Sequence, residues 1–245
     1  MLCHFLEDLF CKDYRYRLGS KILYHIECLY CSTKSPLDKN NRLGILYSLS
    51  RFPWQYKLKN DVINDYNGSI PLSYRTSDQL HGLVLKSPSW ATPSVLFLED
   101  GKEVFGYQGY INSKDFYKLL GKFKLGETEA YEVAFNEGTD ARFCKEYQIF
   151  KNTPDGVFVD KLSGAPLFDT KDRFVSRSGW LSFTSPVEGS VYELPDNSYG
   201  MRRTEIRSVS SDIHLGHVFD DGPNGMPRYC INATVLEFQP RVESS

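Results

Sequence analysis

Residues 228–235, RYCINATV, combine the pattern of a buried β-strand with a single cysteine. A free cysteine often packs as a small hydrophobe, and the apolar side chains around this one favour that interpretation. Arg228 and Asn232, however, lie two positions before and after Cys230, so strand alternation points all three side chains to one face. A guanidinium beside a thiol stabilises the thiolate, which is the reactive form. The stretch therefore predicts a strand whose polar face carries a chemically active cysteine.

The composition of the 245-residue chain limits the class of protein. Lys and Arg total 29 against 31 Asp and Glu, and a net charge of −2 predicts neither nucleic acid nor an anionic membrane as partner. No run approaches the roughly 18 apolar residues of a membrane span, and the first residues lack the pattern of a secretory signal. The expected compartment is cytoplasmic, or periplasmic or secreted if a signal has been removed. The length suits two domains.

A pair of cysteines near the start of the chain has the spacing of a redox motif. Cys28 and Cys31 form CLYC between residues 21–27, a predicted strand, and residues 32–49, which could open a helix. This order is thioredoxin-like, and the helix N-terminus lowers the pKa of the first thiol. The alternatives are a chance pair or half of a metal site, although no second such pair completes a zinc shell. Cys3 and Cys11 are interpreted as incidental thiols.

The stretch from residue 90 to residue 123 extends this interpretation. It predicts a buried strand in SVLFL, a turn in EDGKE, a return strand in VFGYQGY and a helix that begins at Ser113. Together with Thr92 and Pro93, this β-β-α ending resembles thioredoxin-like proteins over about residues 15–123. The resemblance implies an α/β domain in which Pro93 is cis and packs beside the redox pair.

A domain boundary is predicted where this helix gives way to polar residues. The predicted division is residues 1–123 for the thioredoxin-like domain, 124–128 for a linker, 129–240 for a second domain and 241–245 for a tail. The second domain consists of short apolar runs separated by Gly, Pro, Asn and Asp, which predicts an all-β fold. The runs are GVFVDK, APLFDT, GSVYEL, RRTEIRSV, HVFDD and YCINATVLEF.

Two further motifs of the second domain carry candidate functional side chains. SDIHLGHVFDDGP supplies His214 and His217, with Asp221 behind them. Two histidines at this spacing could bind a metal, but neither a metalloprotease pattern nor a nearby cysteine supports that alternative. SGWLSF supplies Trp180, which is either a core residue or an exposed aromatic wall, and Phe183, a candidate substrate contact.

Taken in order, these motifs resemble the B-type methionine-R-sulfoxide reductases over about residues 129–240. The matching blocks are GTDARF, GAPLFDTKDRFVSRSGWLSF, MRRTEIRS, DIHLGHVFDDGP and RYCINA. The resemblance implies a mainly-β, tent- or barrel-like domain with Cys230 as nucleophile. It also implies that Trp180 receives the substrate methyl group, with Phe183 as a second substrate contact. The polar residues of the implied site are His214, His217, Asp221, Arg228 and Asn232.

The chemistry follows from what a sulfoxide requires. The Cys230 thiolate attacks the sulfoxide sulfur while His217 or His214 protonates the departing oxygen, which leaves methionine and a sulfenic acid on Cys230. The resemblance implies that the substrate is methionine-R-sulfoxide in oxidised peptides or proteins, or the free amino acid, and that the enzyme is a peptide-methionine (R)-S-oxide reductase. The competing hypothesis is a general thiol-disulfide oxidoreductase whose C-terminal domain only binds oxidised methionine.

Two departures from the resembled family affect metal binding and recycling. Where many members bind structural zinc through two cysteine pairs, this chain has Asp160, Ser163, Ser208 and Ser211, so no metal cofactor is expected. Ser178 replaces a resolving cysteine, and Cys144 lies where other members place an alternative one. Cys28 and Cys31 are the expected dithiol electron source, itself reduced by an upstream thiol-disulfide reductant.

Overall fold

The computed structural model describes residues 43–48, 62–75, 80, 82–86 and 94–241. All of these residues fall within one compact unit, Ser35–Ser245. The predictions that concern Cys28, Cys31 and Pro93 lie outside the described residues, as do those for Cys3 and Cys11.

The first sheet has four strands in the order β2-β1-β3-β4. They are β1 Leu43–Ser48, β2 Leu72–Tyr74, β3 Ser94–Glu99 and β4 Lys102–Gln108. β1 pairs with β2 in parallel and with β3 antiparallel, while β3 and β4 form an antiparallel hairpin. Asp100 and Gly101 both have positive φ in the turn, which is the conformation that two-residue hairpin turns require. The predicted strand, turn and return strand are thus confirmed.

The helix that follows this hairpin, α1, spans Ser113–Leu125, so it begins at the predicted residue. Ser113 is the first helical residue, and the cap is Asn112, whose side-chain oxygen accepts from the Asp115 amide at 2.9 Å. The helix ends at Gly126, whose φ is positive.

A correction concerns residues 43–48, which are β1 and not part of the helix that the stretch 32–49 could open. Ile45 is fully buried at the centre of the sheet, and the strand is hydrogen-bonded on both sides, to β2 and to β3. Pairing with partners that lie 27 to 56 residues further along the chain decides this conformation, and a local pattern does not show it.

The remaining part of the chain is mainly antiparallel sheet. A six-stranded sheet has the order β7-β8-β12-β11-β10-β9, and a three-stranded sheet has the order β13-β5-β6. The strands are β5 Gly156–Asp160, β6 Pro166–Asp169, β7 Arg173–Phe174, β8 Leu181–Phe183, β9 Val191–Asp196, β10 Arg203–Ser208, β11 His214–Phe219, β12 Arg228–Ile231 and β13 Leu236–Pro240. This confirms a mainly-β second region.

Details of that region differ from the prediction at three places. Two helices, α2 Glu129–Asn136 and α3 Lys145–Phe150, precede the sheets. The stretch YCINATVLEF forms two strands, because the chain leaves the six-stranded sheet after Ile231 and enters the three-stranded sheet at Leu236.

In the part of the chain that the structure describes, no helix is long and apolar enough to cross a membrane.

One hydrophobic cluster runs through the described unit. It joins Phe116 and Leu120 of α1 to Val133 of α2 and to Phe158 of β5. The predicted linker at 124–128 coincides with the end of α1, but the packing is continuous across it.

The N-terminal segments also contact two turns of the sheets. The Asn67 amide donates to the Ser163 carbonyl at 2.8 Å, in the turn between β5 and β6. Lys114 forms an ion pair with Asp212 at 2.8 Å, in the turn between β10 and β11. These contacts fix both turns against the rest of the unit.

Candidate active site

A cavity of about 120 Å³ opens beside the two central strands of the six-stranded sheet. Its lining combines a thiol, an imidazole, a guanidinium and two aromatic rings, from Thr139, Trp180, Arg203, Gly216, His217, Phe219, Cys230 and Asn232. Cys230 on β12 lies directly opposite His217 on β11 in the antiparallel register. Four of the predicted site residues therefore meet at one cavity.

Gly216 permits the close approach of the two strands at this point. Its φ is 153°, and an added Cβ would lie 2.1 Å from the carbonyl oxygen of Cys230. Any larger residue would therefore push β11 away from β12. The cavity depends on this glycine for the position of both reactive side chains.

The Cys230 thiol is half-buried, and burial is the main influence on its pKa, which lies above the ordinary value of a cysteine. The charge of Arg228 and hydrogen bonds from Ser178 and Arg228 act in the opposite direction. Arg228 favours the thiolate, as its sequence position predicts, but burial outweighs it.

Arg228 is itself held by two neighbours. Its Nε and Nη2 donate to the two carboxylate oxygens of Asp221 at 2.8 and 3.0 Å, and its guanidinium lies 4.4 Å from the centre of the Phe219 ring. Asp221 thus orients Arg228 and does not line the cavity.

His217 is anchored by a carboxylate that the sequence did not single out. Its Nε2 lies 2.8 Å from Oδ2 of Asp196, and the same oxygen accepts from Arg203 at 2.6 Å. Burial lowers the pKa of His217 below its ordinary value, and the bond to Asp196 partly opposes this. Hydrogen bonds from Ser198 are the largest cause of the low pKa of Asp196.

His214 lies behind His217 and does not line the cavity. Its side chain is buried, its Nδ1 lies 2.7 Å from Glu205, and its ring centre is 5.4 Å from that of His217. Three residues apart on a regular strand, the two rings would face opposite sides. A β-bulge, at which His214 and Gly216 pair with the successive residues Arg207 and Ile206, brings them together.

Trp180 and Asn232 are both fixed through Asp140. The Trp180 Nε1 donates to the Asp140 carbonyl at 2.9 Å, and the Asn232 amide oxygen accepts from the Asp140 backbone amide at 3.0 Å. Arg142 lies over the Trp180 ring at 5.1 Å. The indole is therefore held on both its edge and its face.

Asp140 was not predicted, although it organises the end of the catalytic strand. It is buried, and its carboxylate accepts from the amides of Ala233 and Thr234 at 2.6 and 3.0 Å and from the Thr234 hydroxyl at 2.5 Å. Burial raises its pKa, and these hydrogen bonds oppose the rise. Its only signal in the sequence is its place in the quoted block GTDARF.

Phe183 is a correction to the predicted substrate contacts. Its side chain is fully buried, stacked on Phe168 at 4.7 Å between ring centres, and in contact with Phe158 at 5.5 Å. Phe183 belongs to the core because its strand, β8, pairs with β12 at Tyr229.

The two thiols of the described residues, Cys144 and Cys230, are both free. Cys144 precedes α3, where its Sγ accepts from the Tyr147 amide at 3.4 Å and lies 3.7 Å from Asp140. Burial raises its pKa. Ser178, at the other resolving position, bonds to Ser176 at 2.8 Å and influences Cys230 directly.

The four positions that the resemblance associates with zinc do come together, as a buried hydrogen-bonded cluster. Asp160 accepts from the amides of Leu162 and Ser163 at 2.8 and 3.0 Å and from the Ser211 hydroxyl at 2.5 Å. The Ser208 hydroxyl accepts from the Ser211 amide at 3.4 Å. Neutral hydroxyls already engaged in hydrogen bonds do not form a zinc shell, so these residues do not fit the metal.

A larger cavity, of about 540 Å³, lies elsewhere in the unit. Its lining residues are Val62, Asp65, Ser113, Tyr117, Ala165, Pro166, Val187, Glu188, Gly189, Ser190, Val209 and Ser210. None of these described residues is a cysteine or a histidine. The smaller cavity, which contains both, is therefore the candidate active site.

The comparison with protein families agrees with this geometry. Residues 127–240 match the model of the SelR domain, and the match includes the cavity, β11, β12 and Cys230. SelR domains are those of the methionine-R-sulfoxide reductases of the B type. Residues 127–240 therefore resemble a SelR domain, and at the level of that family the chain is an oxidoreductase, a peptide-methionine (R)-S-oxide reductase.

Proposed function

We propose that Cys230 reduces methionine-R-sulfoxide in oxidised peptides or proteins by direct attack on the sulfoxide sulfur. The observation that carries this proposal is the pairing of Cys230 with His217 across two adjacent strands, at a cavity walled by Trp180. A nucleophile, a group able to donate a proton and an apolar wall are the three elements that the reaction requires.

The reaction balances as an oxygen transfer. The Cys230 thiolate attacks the sulfur of the protonated sulfoxide and forms an Sγ–sulfur bond. The hydroxyl then moves from the substrate sulfur to Sγ as the sulfur–oxygen and Sγ–sulfur bonds break, which leaves a sulfenic acid on Cys230 and the electron pair of the Sγ–sulfur bond on the substrate sulfur. The substrate sulfur gains two electrons and leaves as the thioether, while the cysteine sulfur loses two. The proton that the departing oxygen needs comes from His217, because His217 lines the cavity and His214 lies behind it.

The selection of one epimer follows from the asymmetry of the lining. Trp180 offers an aromatic face to the sulfoxide methyl group, while Arg203, His217 and Asn232 offer polar groups to the oxygen. Only one configuration at sulfur places both substituents correctly when the third substituent, the rest of the methionine, points out of the cavity.

Recycling of the sulfenic acid requires a dithiol, which we assign to Cys28 and Cys31 in a thioredoxin-like N-terminal region. A parallel strand pair, an antiparallel hairpin and a following helix are typical of the thioredoxin core and support that fold for the region. The described strand β1 begins after the Cys28–Cys31 motif, so the redox role of the motif rests on its sequence spacing alone. The motif itself lies outside the described residues.

The test is an activity assay of the full chain on peptides that carry each pure epimer, with dithiothreitol as reductant. We expect methionine to form from the R epimer only. Binding of the R epimer without any methionine formed would instead support the competing hypothesis of an oxidised-methionine binding module. Equal turnover of both epimers would contradict the proposed selection by the cavity lining.

A further inference from the structure

Arg203 has an unusual hydrogen-bond arrangement within the cavity lining. It is the first residue of β10, and its Nη2 donates to Asp196 Oδ2 at 2.6 Å and to the Ser198 hydroxyl at 3.0 Å. Its Nε is buried and has no hydrogen-bond partner among the described residues. Only two other side-chain atoms in the described part of the chain share that condition, Ser73 Oγ and His214 Nε2. Of these three side chains, only Arg203 lines the cavity.

Buried polar groups in folded proteins nearly always have a partner, so an unpartnered donor on a side chain that lines a cavity points to a ligand as its partner. The two bonds from Nη2 to Asp196 and Ser198 orient the guanidinium, and its Nε–H has no partner among the described residues. The ligand group that it suits is a compact, strongly polar acceptor.

We propose that the Nε–H of Arg203 donates a hydrogen bond to the sulfoxide oxygen of the substrate. This inference rests on the proposed function and deepens it, by assigning the group that recognises the oxygen. The sulfur–oxygen bond is strongly polarised, so its oxygen is such an acceptor, and a thioether has no equivalent group. Arg203 therefore distinguishes the oxidised substrate from the reduced product.

The roles of Arg203 and His217 are then complementary. A guanidinium keeps its proton at any physiological pH, so Arg203 stabilises the charge that develops on oxygen but does not transfer a proton. His217 supplies the proton. Both side chains bind the same oxygen of Asp196, and this shared anchor sets the position of the fixed donor relative to the titrating one.

The assignment also explains product release. Once the oxygen has moved to Cys230, the substrate loses its hydrogen bond to Arg203 and is held only by apolar contact with the lining. Methionine should therefore bind more weakly than its sulfoxide, and by a margin that depends on Arg203.

The experiment measures the binding of two blocked amino acids to the full chain carrying Cys230→Ser, which prevents turnover. The ligands are N-acetyl-methionine-R-sulfoxide methylamide and the corresponding thioether, titrated by calorimetry. In the Arg203→Gln background we expect sulfoxide affinity to fall about tenfold or more, since one charge-assisted hydrogen bond is lost, while thioether affinity changes less than about twofold. Arg202→Gln is the matched control, because Arg202 is the exposed neighbour and does not line the cavity.

The outcomes separate this inference from the proposed function. If the chain with intact Arg203 binds neither ligand and the unaltered enzyme reduces no sulfoxide, the proposed function itself fails. If that chain prefers the sulfoxide and Arg203→Gln reduces both affinities equally, Arg203 only shapes the cavity and the inference is overturned. Arg203→Lys, assayed for kcat and KM with Cys230 intact, provides the same test should Arg203→Gln not fold, because it retains charge without the guanidinium Nε. We expect it to raise KM for the sulfoxide.

Discussion

Cys230 is subject to two opposing influences that the structure places side by side. Burial keeps the thiol protonated, and Arg228, clamped by Asp221, favours the thiolate. Two opposing influences also act on His217. Burial lowers its pKa and favours the neutral imidazole, while the bond to Asp196 favours the imidazolium. The productive state needs a thiolate and an imidazolium together, which is the less populated combination.

Cys230→Ser should abolish sulfoxide reduction and leave the fold intact, because a hydroxyl is nearly isosteric with the thiol but far less nucleophilic. Methionine formation with dithiothreitol as reductant is the measurement. Cys144→Ser is the control, and we expect it to retain turnover because dithiothreitol reaches the sulfenic acid directly. Substantial methionine formation by Cys230→Ser would exclude the mechanism.

The pH dependence of kcat/KM should show a plateau between the two pKa values. Ordinary values are about 6.5 for histidine and about 8.5 for cysteine, and the structure lowers the first and raises the second. Below the plateau the rate falls as thiolate is lost while His217 is already protonated. Above it, the rate falls as the imidazolium is lost while Cys230 is already ionised.

Arg228→Gln should therefore lower the plateau and move its alkaline limit to higher pH, because the pKa of Cys230 rises further when the guanidinium is removed. A rise of one pKa unit would lower the plateau about tenfold. Rate profiles of Arg228→Gln and of the control Arg202→Gln test this. An alkaline limit that stays in place in Arg228→Gln would show that Arg228 does not act on Cys230.

For single residues, the sequence is sufficient where the position of a side chain follows from its residue type and its local spacing. Cys230, His217, Trp180 and Asn232 all reach the cavity as expected. Phe183 and His214 do not, because the pairing of β8 with β12 and the bulge in β11 decide their burial. Asp196 and Arg203 come from separate strands, and only the fold joins them to His217.

Among the elements, the turn between β5 and β6 and the turn between β10 and β11 are held together by polar contacts. Asp160 accepts three hydrogen bonds there, and the N-terminal segments bind both turns from outside. Such a cluster is stable only while each buried group keeps its partner.

We therefore expect no stoichiometric zinc at these turns, and a chelator should leave the free energy of unfolding unchanged. Asp160→Ala should instead lower that free energy by roughly 2–4 kcal/mol, because it leaves buried donors without an acceptor. Elemental analysis and urea denaturation test both parts. One zinc per chain, lost together with stability on chelation, would contradict the prediction.

Elements are predictable here where their signal is local. The β3–β4 hairpin and α1 follow from a buried run, an Asp-Gly turn and a clear helical pattern. β1 does not, because only its distant partners β2 and β3 define it as a strand. α2 lies in the polar stretch that the sequence marks as a boundary, and burial of Val133 and Ala134 on one face stabilises it.

Across the whole molecule, the described residues share one hydrophobic core from α1 to β13. A fragment that begins at residue 129 would expose the side chains that α1 covers. Experiments on thiol chemistry are therefore best done on the full chain, with individual cysteines replaced.

Cys144 is the expected resolving thiol, because a second thiol in the same region condenses with a sulfenic acid faster than one that must dock. It must first leave its contacts with Asp140 and the Tyr147 amide. Full chain carrying Cys28→Ser and Cys31→Ser, oxidised by excess methionine-R-sulfoxide without reductant, should yield a disulfide between Cys144 and Cys230. Loss of the Cys230 thiol alone, trapped by a sulfenic-acid probe, would exclude this role.

Cys28→Ser or Cys31→Ser should spare a single turnover and remove steady-state turnover with a protein reductant such as a thioredoxin. The physical reason is that a tethered dithiol has an effective concentration of about millimolar, which a separate donor does not match. Methionine formed per enzyme is the measurement. Dithiothreitol, which bypasses the pair, is the control, and unchanged steady-state rates with the protein reductant would contradict the recycling route.

The position of β12 in its sheet has a consequence for biosynthesis. Because β12 lies between β8 and β11, and β13 closes on β5, a nascent chain holds several unpaired strand edges until residues 228–240 have been made. The Asp140 carboxylate likewise lacks two of its hydrogen-bond donors, the amides of Ala233 and Thr234, until these residues are synthesised more than ninety positions later. Unpaired strand edges promote association between chains. Growing polypeptides of this enzyme should therefore depend on chaperone protection until β12, the strand that carries Cys230, has been synthesised and completes the sheet.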